Sequence, residues 1–122
     1  MSIGKLFTHC ANSPKDEWQM QIEILKAAIQ TNEETFSLFY CNALKRVLHF
    51  GHEEEYEHVT DFILMFIAGD HWKEQEMRMR EIIQRDSIQF LQSCIRNHHE
   101  HIKINAIGLL GRIAGKSTSD NK

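Results

Sequence analysis

Proline and glycine are scarce in this chain, which has one proline and six glycines among its 122 residues. A β-sandwich or β-barrel needs turn residues about every 8–12 positions, so this scarcity argues against both folds. Long apolar segments are also missing. The longest apolar run, residues 62–68, is far too short to span a bilayer, and the N-terminal segment lacks the apolar core of a secretory signal.

Cysteine is a third scarce residue. Cys10, Cys41 and Cys94 are odd in number and form no CxxC pair, which argues against a disulfide framework and against a cysteine-based zinc site. Free thiols are typical of a reducing compartment, so the sequence predicts a protein of the nucleus or cytoplasm.

The chain also lacks an excess of basic residues. Its net charge is −3, which argues against a domain devoted to wrapping nucleic acid. The charge is uneven, since residues 1–70 carry 5 basic and 11 acidic side chains whereas residues 71–122 carry 9 and 6. The ordinary interpretation of the basic half is a set of solvated helix faces. Contact with phosphate or with an acidic partner is the alternative.

Helical periodicity dominates the rest of the sequence, with apolar residues at i, i+3, i+4 and i+7 in several segments. Ser13 and Pro14, followed by acidic residues, predict a leading helix over about 14–30 that Ser13 caps. Ahead of it, we expect a short helix or apolar arm that packs on the first repeat and contains Ile3, Leu6 and Phe7.

A first helical hairpin is predicted over about 33–69, after Thr31 and Asn32, which break the pattern and can cap the next helix. Gly51 is expected to end its first helix. The acidic cluster 53–55 is typical of a first turn, so the second helix is expected to start there and to end at Gly69.

A second hairpin is predicted over about 87–115, with Ser87 capping its first helix. Residues 70–76 are polar and predict a loop, residues 77–85 predict an extra or leading helix, and residues 116–122 predict a disordered tail. The fold class is therefore all-α, a single domain over 1–115. Its hairpins have the scale of stacked HEAT or armadillo repeats in a short α-solenoid.

The last helix contains Gly108 and Gly111 and is apolar on nearly every side. These features predict an inner helix of a stack, approached closely by a neighbouring helix. Because two repeats are fewer than such arrays need, one side of this helix is expected to lack its neighbour and to bind a partner. The candidate anchors are Ile102, Leu109 and Ile113, together with Trp72, for which packing under a loop is the alternative.

No residue pattern predicts catalysis, a metal or a cofactor. Eight histidines are present, with three crowded at His98, His99 and His101, but no HExxH or paired CxxC motif accompanies them. Cys94 lies among apolar neighbours and is interpreted as a small core residue. The sequence therefore predicts that the protein is not an enzyme.

Two blocks resemble the N-terminal HEAT repeats of the condensin CAP-G subunits: ETFSLFYCNALKRVLHFGHEEEYEHVTDFILMFIAG, residues 34–69, and SIQFLQSCIRNHHEHIKINAIGLLGRIAG, residues 87–115. The resemblance implies a regulatory subunit that grips a kleisin subunit and contacts duplex DNA during chromosome condensation in mitosis. Under that resemblance, the basic positions proposed to face phosphate are Lys45, Arg46, Arg78, Arg80 and Arg112.

Two functional hypotheses follow from the sequence. The first is a HEAT scaffold of a chromosome-organising complex, which binds a kleisin-type protein in a groove and DNA through its phosphates. The second is a small helical adaptor or homodimer without a role on DNA, whose last helix is the interface.

Overall fold

The computed structural model describes residues 3–31, 33–50, 52–96 and 99–120. These residues contain no strand, so the prediction of an all-α fold is confirmed. Short 3-10 turns at Lys15–Glu17 and Glu74–Glu76 precede the second and fifth helices. The helices of the described residues are α1 (Ile3–Ala11), α2 (Trp18–Thr31), α3 (Glu33–Leu48), α4 (Glu53–Ala68), α5 (Met77–Cys94) and α6 (Glu100–Asp120).

Two compact units, Met1–Ile63 and Leu64–Lys122, make up the chain, whereas the sequence predicted one domain over 1–115. The first unit contains α1, α2, α3 and the residues of α4 up to Ile63. The second contains the last turn of α4 together with α5 and α6.

The core of the first unit is built around the aromatic ring of Phe7 on α1. This ring lies edge to face with Tyr40 of α3 at 5.3 Å and with Phe62 of α4 at 6.0 Å between centroids. Trp18 of α2 meets Phe62 in the same orientation at 5.5 Å. All four side chains are buried. The expectation that the segment before α2 packs on the following helices is therefore confirmed.

The corner between α1 and α2 centres on Ser13, which the sequence predicted to be a helix cap. Its hydroxyl instead donates to the carbonyl of Cys10 at 2.6 Å, and the residue at the start of the 3-10 turn is Pro14, which has no capping side chain. The Ser13 carbonyl accepts a hydrogen bond from the indole of Trp18 at 2.9 Å. The capping prediction was wrong because Ser13 is buried and its hydroxyl bonds back towards α1.

α4 begins at Glu53 and is followed by Gly69, as predicted. The backbone N–H of Gly69 donates to the carbonyl of Met65 at 2.8 Å. A Cβ at position 69 would collide with that carbonyl oxygen, so this turn requires glycine. Two further predicted boundary residues, Asn32 and Gly51, lie outside the described residues.

α5 is one continuous helix where the sequence predicted a break before Ser87. Ser87 is buried, and its hydroxyl donates to the carbonyl of Ile83 at 2.6 Å. A serine that bonds back to the i−4 carbonyl is satisfied inside a helix and does not need to cap a new one. The separate helix predicted over 77–85 was therefore wrong.

α6 continues through Gly115 to Asp120, into the segment that the sequence predicted to be a disordered tail. Glycine lowers helix stability by about 1 kcal/mol relative to alanine, but it keeps the backbone N–H that proline lacks, so it does not force a helix to end. Residues 121–122 lie outside the described residues. The sequence also predicts a turn over 97–101, but α6 already begins at Glu100, and Asn97 and His98 lie outside the described residues.

Candidate interaction surfaces

α6 packs on α5 and buries a single row of its side chains. The row consists of Ile102, Ala106, Leu109 and Ile113, all at most 1% exposed. The sequence predicted that three of them, Ile102, Leu109 and Ile113, anchor a partner. The structure contradicts that assignment, because these side chains are already buried within their own chain.

The opposite side of α6 is exposed and largely apolar. Ile104 is 61% exposed and Ile107 is 49% exposed, and the three exposed glycines Gly108, Gly111 and Gly115 follow them at helical spacing. We call these five residues the outer face of α6. Because positions three and four apart share one side of a helix, the isoleucines and glycines form one continuous strip.

The glycines of the outer face do not serve packing within the described chain. A Cβ at Gly108, Gly111 or Gly115 would meet no heavy atom within 4 Å among the described residues. The predicted close approach of a neighbouring helix at Gly108 and Gly111 was therefore wrong for this chain alone. Each glycine in a helix costs about 1 kcal/mol relative to alanine, and at Gly108 and Gly111 no close packing within the described residues requires the missing side chain.

Replacing Gly108 or Gly111 by alanine is expected to stabilise the folded chain by about 0.5–1 kcal/mol each. The added methyl group enters open space, while the unfolded chain loses backbone freedom. Thermal unfolding in dilute solution, followed by circular dichroism, measures the effect. Gly69→Ala is the matched control. It is expected to destabilise the chain, since its Cβ collides with the Met65 carbonyl. Destabilisation of all three variants would contradict the open outer face.

Trp72 is half-buried in the turn after α4. Its indole N–H donates to the carbonyl of Phe66 at 2.8 Å, and its ring lies 5.7 Å from the ring of Phe66 and 4.9 Å from that of His71. These contacts stabilise the turn. A role of Trp72 as an interface anchor stays a prediction.

The basic positions proposed to face phosphate do not share one environment. Arg80 is half-buried, and its Nε donates to the carbonyl of Ile67 at 3.1 Å, so it helps to hold α5 against the end of α4. Two lie in the last turn of α3, where positive charge also complements the helix dipole. The exposed positions are Lys45, Arg46, Arg78 and Arg112.

A shallow groove of about 210 Å³ lies between α1 and α3. Two cations, Lys5 and Arg46, and the half-buried ring of Phe39 line it, together with Gly4, Asn42 and Ala43. Guanidinium and ammonium groups beside an aromatic ring suit an acidic side chain or a phosphate.

Within the described residues, no three histidine, cysteine or acidic side chains converge in a way that could hold a metal ion. The acidic first turn of α4 is exposed and lines an open hollow of about 520 Å³ with His52. Carboxylates at this position complement the helix dipole. Of the crowded histidines, His99 and His101 are exposed, and His98 lies outside the described residues.

The three cysteines are free thiols. Cys94 is buried on α5, as the interpretation of a small core residue requires. Cys10 is fully buried, and its thiol donates to the side-chain carbonyl oxygen of Gln21 at a sulfur–oxygen distance of 3.4 Å. Burial raises the pKa of the Cys10 thiol to about 11, which is opposite to the lowered pKa of a reactive cysteine.

The raised pKa of Cys10 makes the stability of the fold depend on pH in the alkaline range. The thiol of the unfolded chain titrates near its ordinary value of 9.0, whereas the folded chain keeps the proton up to about 11. The contribution of the Cys10 thiol to the free energy of unfolding is therefore complete below pH 9.0 and is lost as the pH rises towards about 11. Denaturant unfolding across this pH range is expected to show that the wild type loses more stability than Cys10→Ala does. Equal losses in the two proteins would contradict this prediction.

Two features of the structure cannot be predicted from residue type alone: the burial of a lysine and the exposure of isoleucines on α6. Lys26 is 1% exposed, with its Nζ 3.1 Å from a carboxylate oxygen of Glu23, although lysine is rarely buried. Its position four residues after Ile22 and three before Ile29 is the signal that places it on the buried side of α2. The same spacing rule separates the outer face of α6 from the buried row.

No protein-family model, curated protein or solved structure matches this chain. Among the described residues, no helix combines the length and apolarity that a membrane crossing needs. The outer face of α6 and the groove between α1 and α3 are two candidate interaction surfaces.

Proposed function

We propose that this chain is a non-catalytic helical scaffold that binds another protein chain through the outer face of α6. One observation supports the proposal above all: Ile104 and Ile107 are exposed together on a helix whose opposite side is fully buried. Contiguous exposed aliphatic side chains mark sites of protein interaction. The glycines beside them allow a partner backbone to approach closely.

A HEAT- or armadillo-like stack is the architecture that we propose for this scaffold. α5 and α6 pack on one another and are joined by residues 95–99 alone, a connection short enough to require an antiparallel pair. In a stacked array, each helix pair offers one open side to the next pair. The outer face of α6 has the composition expected of such a side.

Affinity capture from a cell extract tests the use of the outer face. The tagged chain is compared with Ile107→Lys, and Leu38→Lys on α3 is the matched control, because Leu38 is an exposed aliphatic residue on a different helix. Ile107→Lys is expected to lose at least one bound protein, untagged copies of the chain included, by about tenfold. The control is expected to retain it. Identical sets of bound proteins for all three chains would overturn the proposal.

On the basis of the resemblance to the condensin subunits, we propose a kleisin-type protein as a partner. The resemblance does not specify which surface of this chain it binds. Binding of a purified kleisin-type condensin subunit to the full chain, measured by calorimetry, tests this directly. Saturable binding supports membership of a chromosome-organising complex. A lack of binding would overturn that part of the proposal and leave the adaptor hypothesis.

Duplex DNA is the second partner that the resemblance proposes. The adjacent exposed cations Lys45 and Arg46 favour it, since Arg46 also lines the groove that contains Lys5. Binding through phosphates weakens steeply as the salt concentration rises. Fluorescence anisotropy with a labelled duplex is expected to show this salt dependence, and a double Lys45→Ala, Arg46→Ala variant is expected to bind more weakly. Absence of binding at low ionic strength would exclude DNA.

A further inference from the structure

We propose that the groove between α1 and α3 binds a phosphomonoester, carried on a phosphorylated side chain of a partner protein. This site is separate from the outer face of α6, since all the described residues that line it belong to the first unit. Three properties of the groove support it: its side-chain donors, its local charge and its aromatic wall.

Three side chains with hydrogen-bond donors line the groove, namely Lys5 of α1 and Asn42 and Arg46 of α3. All three residues are exposed. Asn42 and Arg46 are four positions apart, so they share one side of α3. A phosphomonoester offers three terminal oxygens as acceptors, one for each of these side chains. A carboxylate offers two oxygens, and a single guanidinium already occupies both.

The charge of the groove also matches a phosphomonoester, which carries about −1.5 to −2 at neutral pH. Lys5 and Arg46 supply two positive charges, and none of the described residues that line the groove is acidic. α1 contains no acidic residue. The acidic residues of α3 are Glu33 and Glu34 at its start, about three helical turns before Arg46.

Basic residues of the acidic half of the chain concentrate at this groove. Apart from histidines, the basic residues of 1–70 are Lys5, Lys15, Lys26, Lys45 and Arg46. Two of them pair with carboxylates elsewhere, Lys15 with Asp61 at 3.7 Å and Lys26 with Glu23 at 3.1 Å. The remaining three are the two cations of the groove and the residue next to Arg46. The groove is therefore a local cationic site in a half of the chain that is acidic as a whole.

The half-buried ring of Phe39 forms an apolar wall of the groove. The volume of about 210 Å³ is below the range of about 300–1,000 Å³ that is typical of sites for whole small molecules. One phosphorylated side chain suits this size, with its carbon atoms against Phe39 and its phosphoryl oxygens at the donors. A phosphodiester of DNA carries a single charge and has one terminal oxygen fewer, so it matches the three donors less well.

Titration of the full chain with phosphopeptides, followed by backbone amide chemical shifts, tests the site. The probes are short peptides of glycine and alanine with one phosphotyrosine or one phosphoserine at the centre. Saturable shifts are expected at the amides of Lys5, Asn42 and Arg46. The same peptides without phosphate are expected to bind at least about tenfold more weakly. Equal binding of the unphosphorylated peptides, or no shift at the groove with either phosphopeptide, would overturn the proposal.

Two variants test whether the groove is a built site. Arg46→Lys keeps the positive charge but removes the planar fork that bonds two oxygens at once, and it is expected to weaken phosphopeptide binding by about tenfold. Lys45→Ala is the matched control, since it removes the neighbouring exposed charge, which does not line the groove. A change of about twofold or less is expected for it. Wild-type affinity of Arg46→Lys, or an equal or larger loss for Lys45→Ala, would contradict a built site.

Inorganic phosphate and a short duplex without terminal phosphates distinguish the other sources of the anion. Inorganic phosphate lacks the carbon atoms that contact Phe39 and is expected to bind about tenfold more weakly than the phosphopeptides. Equal or tighter binding would reveal an adventitious ion only and would exclude the partner protein. A duplex that shifts the same amides at lower concentration than the phosphopeptides would assign the groove to DNA, against this inference. None of these results bears on protein capture through the outer face of α6.

Discussion

Replacing Phe62 by alanine is expected to lower the free energy of unfolding by about 3–5 kcal/mol. Phe62 is fully buried, and its ring meets Phe7 at 6.0 Å and Trp18 at 5.5 Å between centroids. The substitution therefore removes the shared neighbour of α1 and α2 and leaves a cavity between them. Because whole domains have a stability of about 5–15 kcal/mol, this single change is expected to bring the first unit close to unfolding.

Chemical denaturation of the wild type and of Phe62→Ala measures this loss. Leu38→Ala is the matched control, since Leu38 is 66% exposed and its truncation is expected to change stability little. Phe62→Leu keeps most of the volume and is expected to fall between the two, so the comparison remains informative even where Phe62→Ala does not fold. A loss below about 1 kcal/mol for Phe62→Ala would show that the aromatic cluster does not hold the unit together.

Ile88→Pro is expected to destabilise the chain by about 3 kcal/mol or more. Proline at position 88 removes a backbone N–H in the middle of α5, and its ring clashes with the carbonyl of the preceding turn. The sequence interpretation leads to the opposite result. If Ser87 capped a new helix, position 88 would be the first helical residue, where proline is well tolerated.

Loss of helical circular dichroism and a lower unfolding midpoint are the measurements for Ile88→Pro. Ile88→Ala separates the backbone effect from the loss of a half-buried side chain, and the difference between the two variants is the backbone effect alone. Near-equal stability of the two variants would support the break that the sequence predicted before position 88 and would contradict a continuous α5.

The two serines that the sequence assigned as caps show why local signals can fail. Ser13 and Ser87 both precede segments with good helix-start character, but the hydroxyl of each donates to a carbonyl three or four residues earlier. Both residues are buried. A serine hydroxyl satisfies either bond equally well, so the choice depends on whether the chain turns at that point. Packing around the residue decides this, and the sequence within a few positions does not contain it.

The outer face of α6 shows the same difference between what local sequence signals indicate and what packing decides. In the last helix, Ile102, Leu109 and Ile113 share one side, whereas Ile104 and Ile107 share the opposite side with the glycines. Helical spacing separates the two sides, but it does not show whether an apolar side is buried by its own chain or by a partner, because both kinds of contact favour apolar residues. Packing against α5 buries the row that contains Ile102, Leu109 and Ile113 and thereby exposes Ile104 and Ile107.

The sequence by itself determined the all-α class, the start of α4 at Glu53 and its end before Gly69. Periodicity, dipole-matched charges and a glycine that avoids a backbone collision act within a few residues, so a local pattern contains all the information that they need. Only the tertiary structure decided the continuity of α5 and the burial of Ile102, Leu109 and Ile113 within the chain itself. These depend on which helix supplies the neighbouring surface, and contacts between residues far apart in the chain determine that.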